Sequence, residues 1–362
     1  IAGRVQPPDG NHLEESGGDG GMKWEKKKLC ECTEYITDGD HQPAPKADKG
    51  VHFIKIKDIV NNQVSFDAQV YVPQEYYDNL PMERKPQKED VLYTVVGSFG
   101  IPSYVQTDEL FCFERNIALL HPNKDIEPRF LYYSLKNPAF YKGVEIVANG
   151  SAQKLIPLSK LKDLKILVPD KEAQRHIADI LSAYDDLIEN NQRQIKLLEE
   201  AAQRLYKEWF VDLCFPGHEN TKIVDGVPEG WSKSTVGNIC KLRKVVITPD
   251  KIESNTPYIG LEHMPRNDIC LSTWGKSEEI NSNKFIYLKK DVLFGKIRPY
   301  FHKVGFALND GITSTDTMVM VADQNLWGLL LVTVSSDAFV DFSYQNCKEG
   351  AKMPRADWKQ ME

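Results

Sequence analysis

Five residues within eight positions, Lys296, Arg298, Tyr300, His302 and Lys303 in "GKIRPYFHK", form the densest run of cations, rings and hydrogen-bond donors in the sequence. Such alternation on a loop suits phosphate contacts and hydrogen bonds to base edges. Three further loops have the same character. "TDGDHQPAPKADKG" (37 to 50) supplies His41, Gln42, Lys46 and Lys49; "GSFGIPSY" (97 to 104) supplies Ser98 and Tyr104; "KLRKVVITPDK" (241 to 251) supplies Arg243 and Lys244. These thirteen residues are the candidate nucleic-acid contacts.

Catalytic patterns are weaker. Asn137-Pro138-Ala139-Phe140 differs by one proline from the Asn-Pro-Pro-Tyr type of motif that holds a flipped base, but it lies in a helical pattern. "VVGSFG" (95 to 100) opens no helix, so it does not read as a Gly-rich cofactor loop. Pro8-Asp9 with Glu25-Lys26-Lys27 mimics a magnesium nuclease signature, yet Asp9 falls in a segment with little to pack. His41, His52, His121, His263 and His302 show no metal-ligand spacing. The reading is a binding protein without catalytic residues or a metal of its own.

The formal net charge of −7 argues against a nucleic-acid partner until it is divided along the chain. Residues 1–21 carry one Arg against four acids, and 170–210 carry six bases against nine acids. Residues 22–169 balance at twenty each, and 211–362 hold eighteen against nineteen. The acidity belongs to a tail and a rod, and the flanking segments are neutral with local basic loops. No run approaches the roughly 20 apolar residues of a membrane helix. Seven cysteines without a repeated CxxC spacing suit reduced thiols in the cytoplasm.

Positioning these loops requires β-rich domains. Short runs such as "VHFIKIKDI" (51 to 59), "DVLYTVVG" (90 to 97) and "IALLHP" (117 to 122) read as strands between turn signals, followed by a helical stretch at 128–144. The class is α+β, mostly β. The order then recurs: "KWEKKKLCECTEYI" at 23 with "GWSKSTVGNICKL" at 230, "HFIKIKDI" at 52 with "PYIGLEHM" at 257, "KEDVLYTVVGSFGIPSYV" at 88 with "KKDVLFGKIRPYFHKV" at 289, and "NGSAQKLIPLSKL" at 149 with "EGAKMPRADW" at 349. Four matches in one order, offset by 200 to 207 residues, make the chain a duplication. The expected layout is a flexible tail (1–21, with Met22 as natural start), domain 1 (22–169), a rod (170–210), a linker (211–226) and domain 2 (227–362).

The rod starts at Asp170 as N-cap and stops at "FPG" (215 to 217). Ile177, Leu181, Tyr184, Ile188, Asn191, Ile195, Leu198, Ala202, Leu205 and Trp209 alternate in spacings of 4 and 3, a coiled-coil seam with one polar member that fixes register. About 40 residues at 1.5 Å each give roughly 60 Å. A "domain then rod" pattern expects a second rod after domain 2, so the reading is that the chain stops early and that another helix, self-association included, pairs with the seam.

The motifs together resemble the specificity subunit of type I restriction–modification systems. "AQRHIADILSAYDDLIENNQRQIKLLEEAAQRLYKEWF" is similar to that family's conserved central helix, while "GVPEGW", "DGDHQPAP", "LFGKIRPYFHK" and "GAKMPRADW" are similar to its landmarks. The resemblance implies two target-recognition domains, each reading half of a split double-stranded DNA site, with the rods as spacer. It implies docking to methyltransferase subunits that carry S-adenosylmethionine, and to an ATP- and Mg-dependent restriction subunit, with no cofactor on this chain. A split site of about 14 base pairs spans roughly 48 Å, comparable with the rod. Two other readings stand beside this one: the specificity portion of a single-chain restriction–methylation enzyme, and a coiled-coil scaffold that does not bind DNA.

Overall fold

The computed structural model describes residues 23–148, 154–278, 280–347 and 353–362. The tail 1–21, Met22 and parts of the landmarks at 149 and 349 lie outside the described residues. The chain divides into two compact units, one ending at Ile188 and the other starting at Glu189.

In the first unit the strands Thr33–Asp38, Ile117–Pro122, Val91–Thr94 and Pro102–Tyr104 lie side by side in that order as an antiparallel sheet. The near-continuous apolar sequence of the two central strands, Ile117–Pro122 and Val91–Thr94, reflects burial on both faces. Val91, Tyr93, Ala118 and Leu120 turn towards helices, packing with Phe130, Leu131, Phe140 and Val144. Leu92, Ile117 and Leu119 turn the other way, onto Ile54, Phe111 and Phe113. Those last residues belong to a small sheet in which Val51–Ile54 runs parallel to Phe111–Phe113 and antiparallel to Tyr71–Val72.

The stretch expected as one helix over 128–144 is two, Pro128–Lys136 and Pro138–Val147. Pro138 lacks the N–H needed to continue the first, so the chain restarts. The Asn137 side chain caps the new helix by accepting from the Ala139 amide at 2.8 Å. That cap accounts for Asn137-Pro138-Ala139-Phe140. A short helix, Leu158–Asp163, leads into Lys165–Val168, which pairs antiparallel with Glu25–Lys28. The opening segment is interrupted by the helical turn Leu29–Cys32.

The second unit repeats the plan. Cys240–Leu242, Thr317–Ala322, Val292–Gly295 and Val304–Ala307 keep the same order, with Cys270–Leu271 added in parallel at the edge. Tyr258–Ile259 runs parallel to Gly311–Thr313, as Val51–Ile54 does to Phe111–Phe113. Helices Gln324–Val334 and Asp337–Gln345 follow the sheet and cover its core through Leu330, Leu331, Val334, Phe339 and Val340. The isolated bridge Val96 to Leu155 has its counterpart in Ile297 to Arg355. No single helix is long and apolar enough to cross a membrane among the described residues. All seven cysteines are free thiols.

The rod is an α-helix of 36 residues, Lys171–Tyr206, and the unit boundary falls inside it. Asp170 Oδ1 accepts from the Ala173 amide at 2.8 Å, the expected cap. The first half packs on its unit through Ala173, Gln174, Ala178 and Ser182, and Tyr133 donates to Asp185 at 3.0 Å. The second half uses Glu199, whose Oε1 accepts from the amides of Ile269 and Cys270 at 3.1 and 3.2 Å. Gln203 donates to Ser335 Oγ at 2.8 Å.

The docking face therefore differs from the seam. Ile177, Ala202 and Trp209 are half-buried, whereas Leu181, Tyr184, Ile188, Asn191, Ile195, Leu198 and Leu205 are exposed. The α-helix also ends sooner than expected. Residues Lys207–Val211 form a π turn, so Trp209 falls outside the helical phase of the seam. Beyond it, Trp231 stacks against Phe210 and Phe215 at 5.4 and 4.7 Å, and the segment expected as a plain linker holds the hairpin Ile223–Val224 with Val227–Pro228.

Candidate nucleic-acid interface

Sheet register decides where the polar loops collect. Ala118 pairs with Asp38 and Ile117 with Thr94, so loops 39–50, 95–101 and 114–116 leave one end of the first sheet together. The Val95 amide donates to the Asn116 carbonyl at 2.9 Å, and Asp40 forms a bridge with Glu114. Gly39 is required at this crossing, because a Cβ there would collide with the Phe113 carbonyl.

Between the 39–50 and 114–116 loops lies an open groove of about 460 Å³ whose lining includes Asp40, His41, Gln42, Lys46, Lys55, Glu114, Arg115 and Asn116. Its acids are engaged within the protein. Asp40 accepts from the Gln42 amide (3.1 Å), Tyr76 Oη (3.0 Å) and Arg84 Nη1 (3.3 Å). Burial opposes ionisation of Asp40, but those hydrogen bonds and the Arg84 charge hold its carboxyl below the usual value. Glu114 Oε1 accepts from the Ile56 amide at 2.7 Å. Lys46, Lys55 and Arg115 meet no carboxylate within ion-pair distance among the described residues, which leaves the groove with uncompensated positive charge. Exposed Lys49 is likewise unpaired, while His41 Nε2 sits 3.1 Å from Asp38. Ser98 is exposed on the adjacent loop.

Tyr104 does not join them. It pairs with Val91 at the opposite end of the sheet, and its ring packs against Tyr132 at 6.1 Å. Burial raises its hydroxyl above the ordinary value. Its place in the sequence, seven residues past the loop glycine Gly97, gave no sign of that reversal.

In the second unit the same end of the sheet gathers Lys244 and the 296–303 loop. Arg243 is absorbed by the fold: Nε donates to Asp291 Oδ2 at 2.7 Å and Nη2 to Oδ1 at 3.3 Å. Asp291 is the buried acid of the shared Lys-x-Asp-Val-Leu, and its counterpart Asp90 faces His121 Nδ1 at 2.6 Å. Three side chains of the densest group also turn inward. Lys296 donates to the Thr315 carbonyl at 2.7 Å, and burial lowers its ammonium pKa. Lys303 donates to the Leu261 carbonyl at 2.5 Å. His302 places Nε2 at 2.7 Å from the Ser335 carbonyl and Nδ1 at 3.3 Å from Asp337. Arg298 and Tyr300 remain at the surface, joined by Arg266, whose guanidinium lies 4.1 Å from the Phe301 ring. Lys55, Arg115 and Arg266 were not among the candidates from sequence. Arg115 stood out only as a charge beside a strand, and Lys55 and Arg266 carried no signal.

Among the described residues no three His, Cys, Asp or Glu side chains converge as a metal site. The arrangement offers hydrogen-bond donors and positive charge on one end of each sheet, a surface for a polyanion.

Comparison with known proteins bears on this surface. The family profile described as a type I restriction modification DNA specificity domain matches residues 22–200. The chain is 28% identical over 193 residues to the type I restriction enzyme MjaIX specificity subunit of Methanocaldococcus jannaschii, covering 50% of this chain and 44% of that protein. It is 29% identical over 222 residues to the putative MjaX specificity subunit of the same organism, covering 59% and 52%. The chain thus spans about half the length of these relatives. The type I restriction–modification S subunit of M. genitalium shares the fold, at a TM-score of 0.55 and 16% identity over 94% of this chain and 87% of that one. On the profile match, residues 22–200 carry a type I restriction modification DNA specificity domain, and the chain is similar to type I restriction enzyme specificity subunits in sequence and in fold.

Proposed function

We propose that this chain recognises DNA, each unit reading one half of a split double-stranded site and directing methylation or cleavage carried out by partner subunits. The observation that carries the reading is the repeated placement of polar and basic loops at one end of each duplicated sheet, in a chain that carries this specificity domain. S-adenosylmethionine, ATP and Mg belong to the methyltransferase and restriction subunits in this reading, and the chain itself is not catalytic. Free thiols support a cytoplasmic setting. The test is to co-express the chain with its methyltransferase partner and map adenine methylation in the host genome. A split motif with a constant gap is expected; a continuous motif, or none, removes the reading.

The exposed stripe on the rod supports a second helix as an additional partner. In an antiparallel pairing the stripe complements itself: Ile177 meets Ala202, Leu181 meets Leu198, Tyr184 meets Ile195, and Ile188 meets Asn191. A second copy of this chain therefore fits the seam.

A further inference from the structure

The loop that follows the shared Asp-Val-Leu strand ends, in both units, in an aromatic ring held on a rigid turn. In the first unit Phe99 stands between Gly97 (φ 71°) and Gly100 (φ 86°), both left-handed. Buried Thr94 fixes this turn three ways: its carbonyl accepts from the Gly100 amide at 2.8 Å, its hydroxyl donates to the Ser98 carbonyl at 2.7 Å, and the Ile101 amide donates to that hydroxyl at 3.0 Å. In the second unit Tyr300 stands between Arg298 (φ 50°) and His302 (φ 52°), left-handed without glycine and therefore strained. The strain is held by the Arg298 amide donating to Pro354 at 2.9 Å and by His302 against Ser335 at 2.7 Å.

Each ring leans on an aromatic side chain from the second helix after the sheet. Phe99 stacks on Tyr141 at 5.9 Å and 8°, and Tyr300 meets Tyr344 edge-on at 5.2 Å. Lys154 Nζ lies 5.5 Å from the Phe99 ring, whereas the Arg298 guanidinium lies 5.8 Å from Phe301, the ring next to Tyr300. Tyr300 and Tyr344 are 45% and 46% exposed, whereas Phe99 is half-buried, with part of its ring packed against the core of its unit. A single exposed aromatic requires no explanation. Here the residues that build the turn differ completely between the copies, Gly-Ser-Phe-Gly against Arg-Pro-Tyr-Phe-His, while ring and backing ring are kept. The constraint therefore acts on the tip.

We propose that Phe99 and Tyr300 are paired wedges that enter a base step of the bound duplex, one in each half-site, with Lys154 and Arg298 on the flanking phosphates. The proposal rests on the DNA-recognition reading above. A ring with a second ring behind it and a pinned backbone beneath it resists being pushed back, which is what separating stacked bases demands. Both tips emerge beside the 114–116 and 314–316 turns, since the Val95 amide donates to Asn116 and the Lys296 amide to Asp316. They thus share the sheet end that carries the free cations.

The experiment uses the complex with the methyltransferase partner and duplexes of the mapped site carrying 2-aminopurine at successive positions. Binding of the unaltered complex is expected to raise fluorescence at one step in each half-site. Tyr300→Ala should abolish the rise in one half only and weaken binding about 5- to 100-fold, with Tyr300→Phe retaining both; Phe99→Ala and Phe99→Tyr should do the same for the other half. Thermal melts of each variant separate loss of the tip from loss of fold. Tight binding by the unaltered complex without any fluorescence rise overturns the wedges alone, as do alanine variants that keep affinity and signal, or that lose only the methyltransferase partner. If the unaltered complex binds no DNA, the recognition reading falls and the wedges with it.

Discussion

Arg243 and Glu199 show how a charged residue can serve the fold. The Arg243 guanidinium is committed to Asp291, buried at the start of a central strand. Arg243→Ala leaves that carboxylate without its partner and is expected to destabilise the chain by about 3 kcal/mol, the low end for breaking a buried pair, measured by denaturant unfolding. Lys303→Ala should behave likewise, lowering stability while leaving the salt dependence of DNA binding unchanged. Arg115→Ala and Arg298→Ala are expected to lower the salt slope by about one each. Burial holds the Glu199 carboxyl above its ordinary 4.5, against the pull of two backbone amides. A raised folded value means that this group's stabilisation is complete below 4.5 and is lost as pH rises through the folded value. Relative to Glu199→Gln, which still accepts both hydrogen bonds and does not titrate, the unaltered chain should gain thermal stability as pH falls from neutral towards the ordinary value. A constant difference would remove Glu199 as the source. The residue types of the interface were legible in sequence, but their commitments were not: the carbonyls that take up Lys296, Lys303 and His302 belong to Thr315, Leu261 and Ser335. Two of these three lie more than thirty positions away, at 42 and 33.

Among elements, the repeated strands and the long helix were the most readable, because apolar period and turn signals act locally. The break at Pro138 was readable too, and was missed because the apolar pattern runs through it. The face on which the helix docks was hidden by composition. Ala173, Gln174, Ala178 and Ser182 are small or polar, so they make a shallow seat that hydrophobic spacing does not reveal, while the larger residues of the seam stay outside. Exposed Leu181, Ile188 and Leu198 lie on one stripe, on which the proposed pairing with a second helix rests. Ile188→Asp should therefore abolish concentration-dependent self-association in sedimentation while leaving the helical circular dichroism of the chain intact. Self-association that survives this change would locate the contact elsewhere.

For the molecule as a whole, duplication accounts for the charge and underlies the proposed split site. Two neutral units can each hold a local positive groove, and the acidic balance of the helix limits indiscriminate attraction to nucleic acid. A further consequence follows from the antiparallel pairing of Glu25–Lys28 with Lys165–Val168. The strands that open and close residues 25–168 lie side by side, so everything between them is a closed cassette on a common stem. Replacing residues 22–169 by the matching segment of a related specificity subunit should change one half of the methylated motif and leave the gap and the other half untouched; a change in both halves would refute the independence of the cassettes. Heredity can then act on this protein by trade: in the proposed reading, exchange with one crossover in each stem strand changes what half of the molecule reads and leaves the rod as it was.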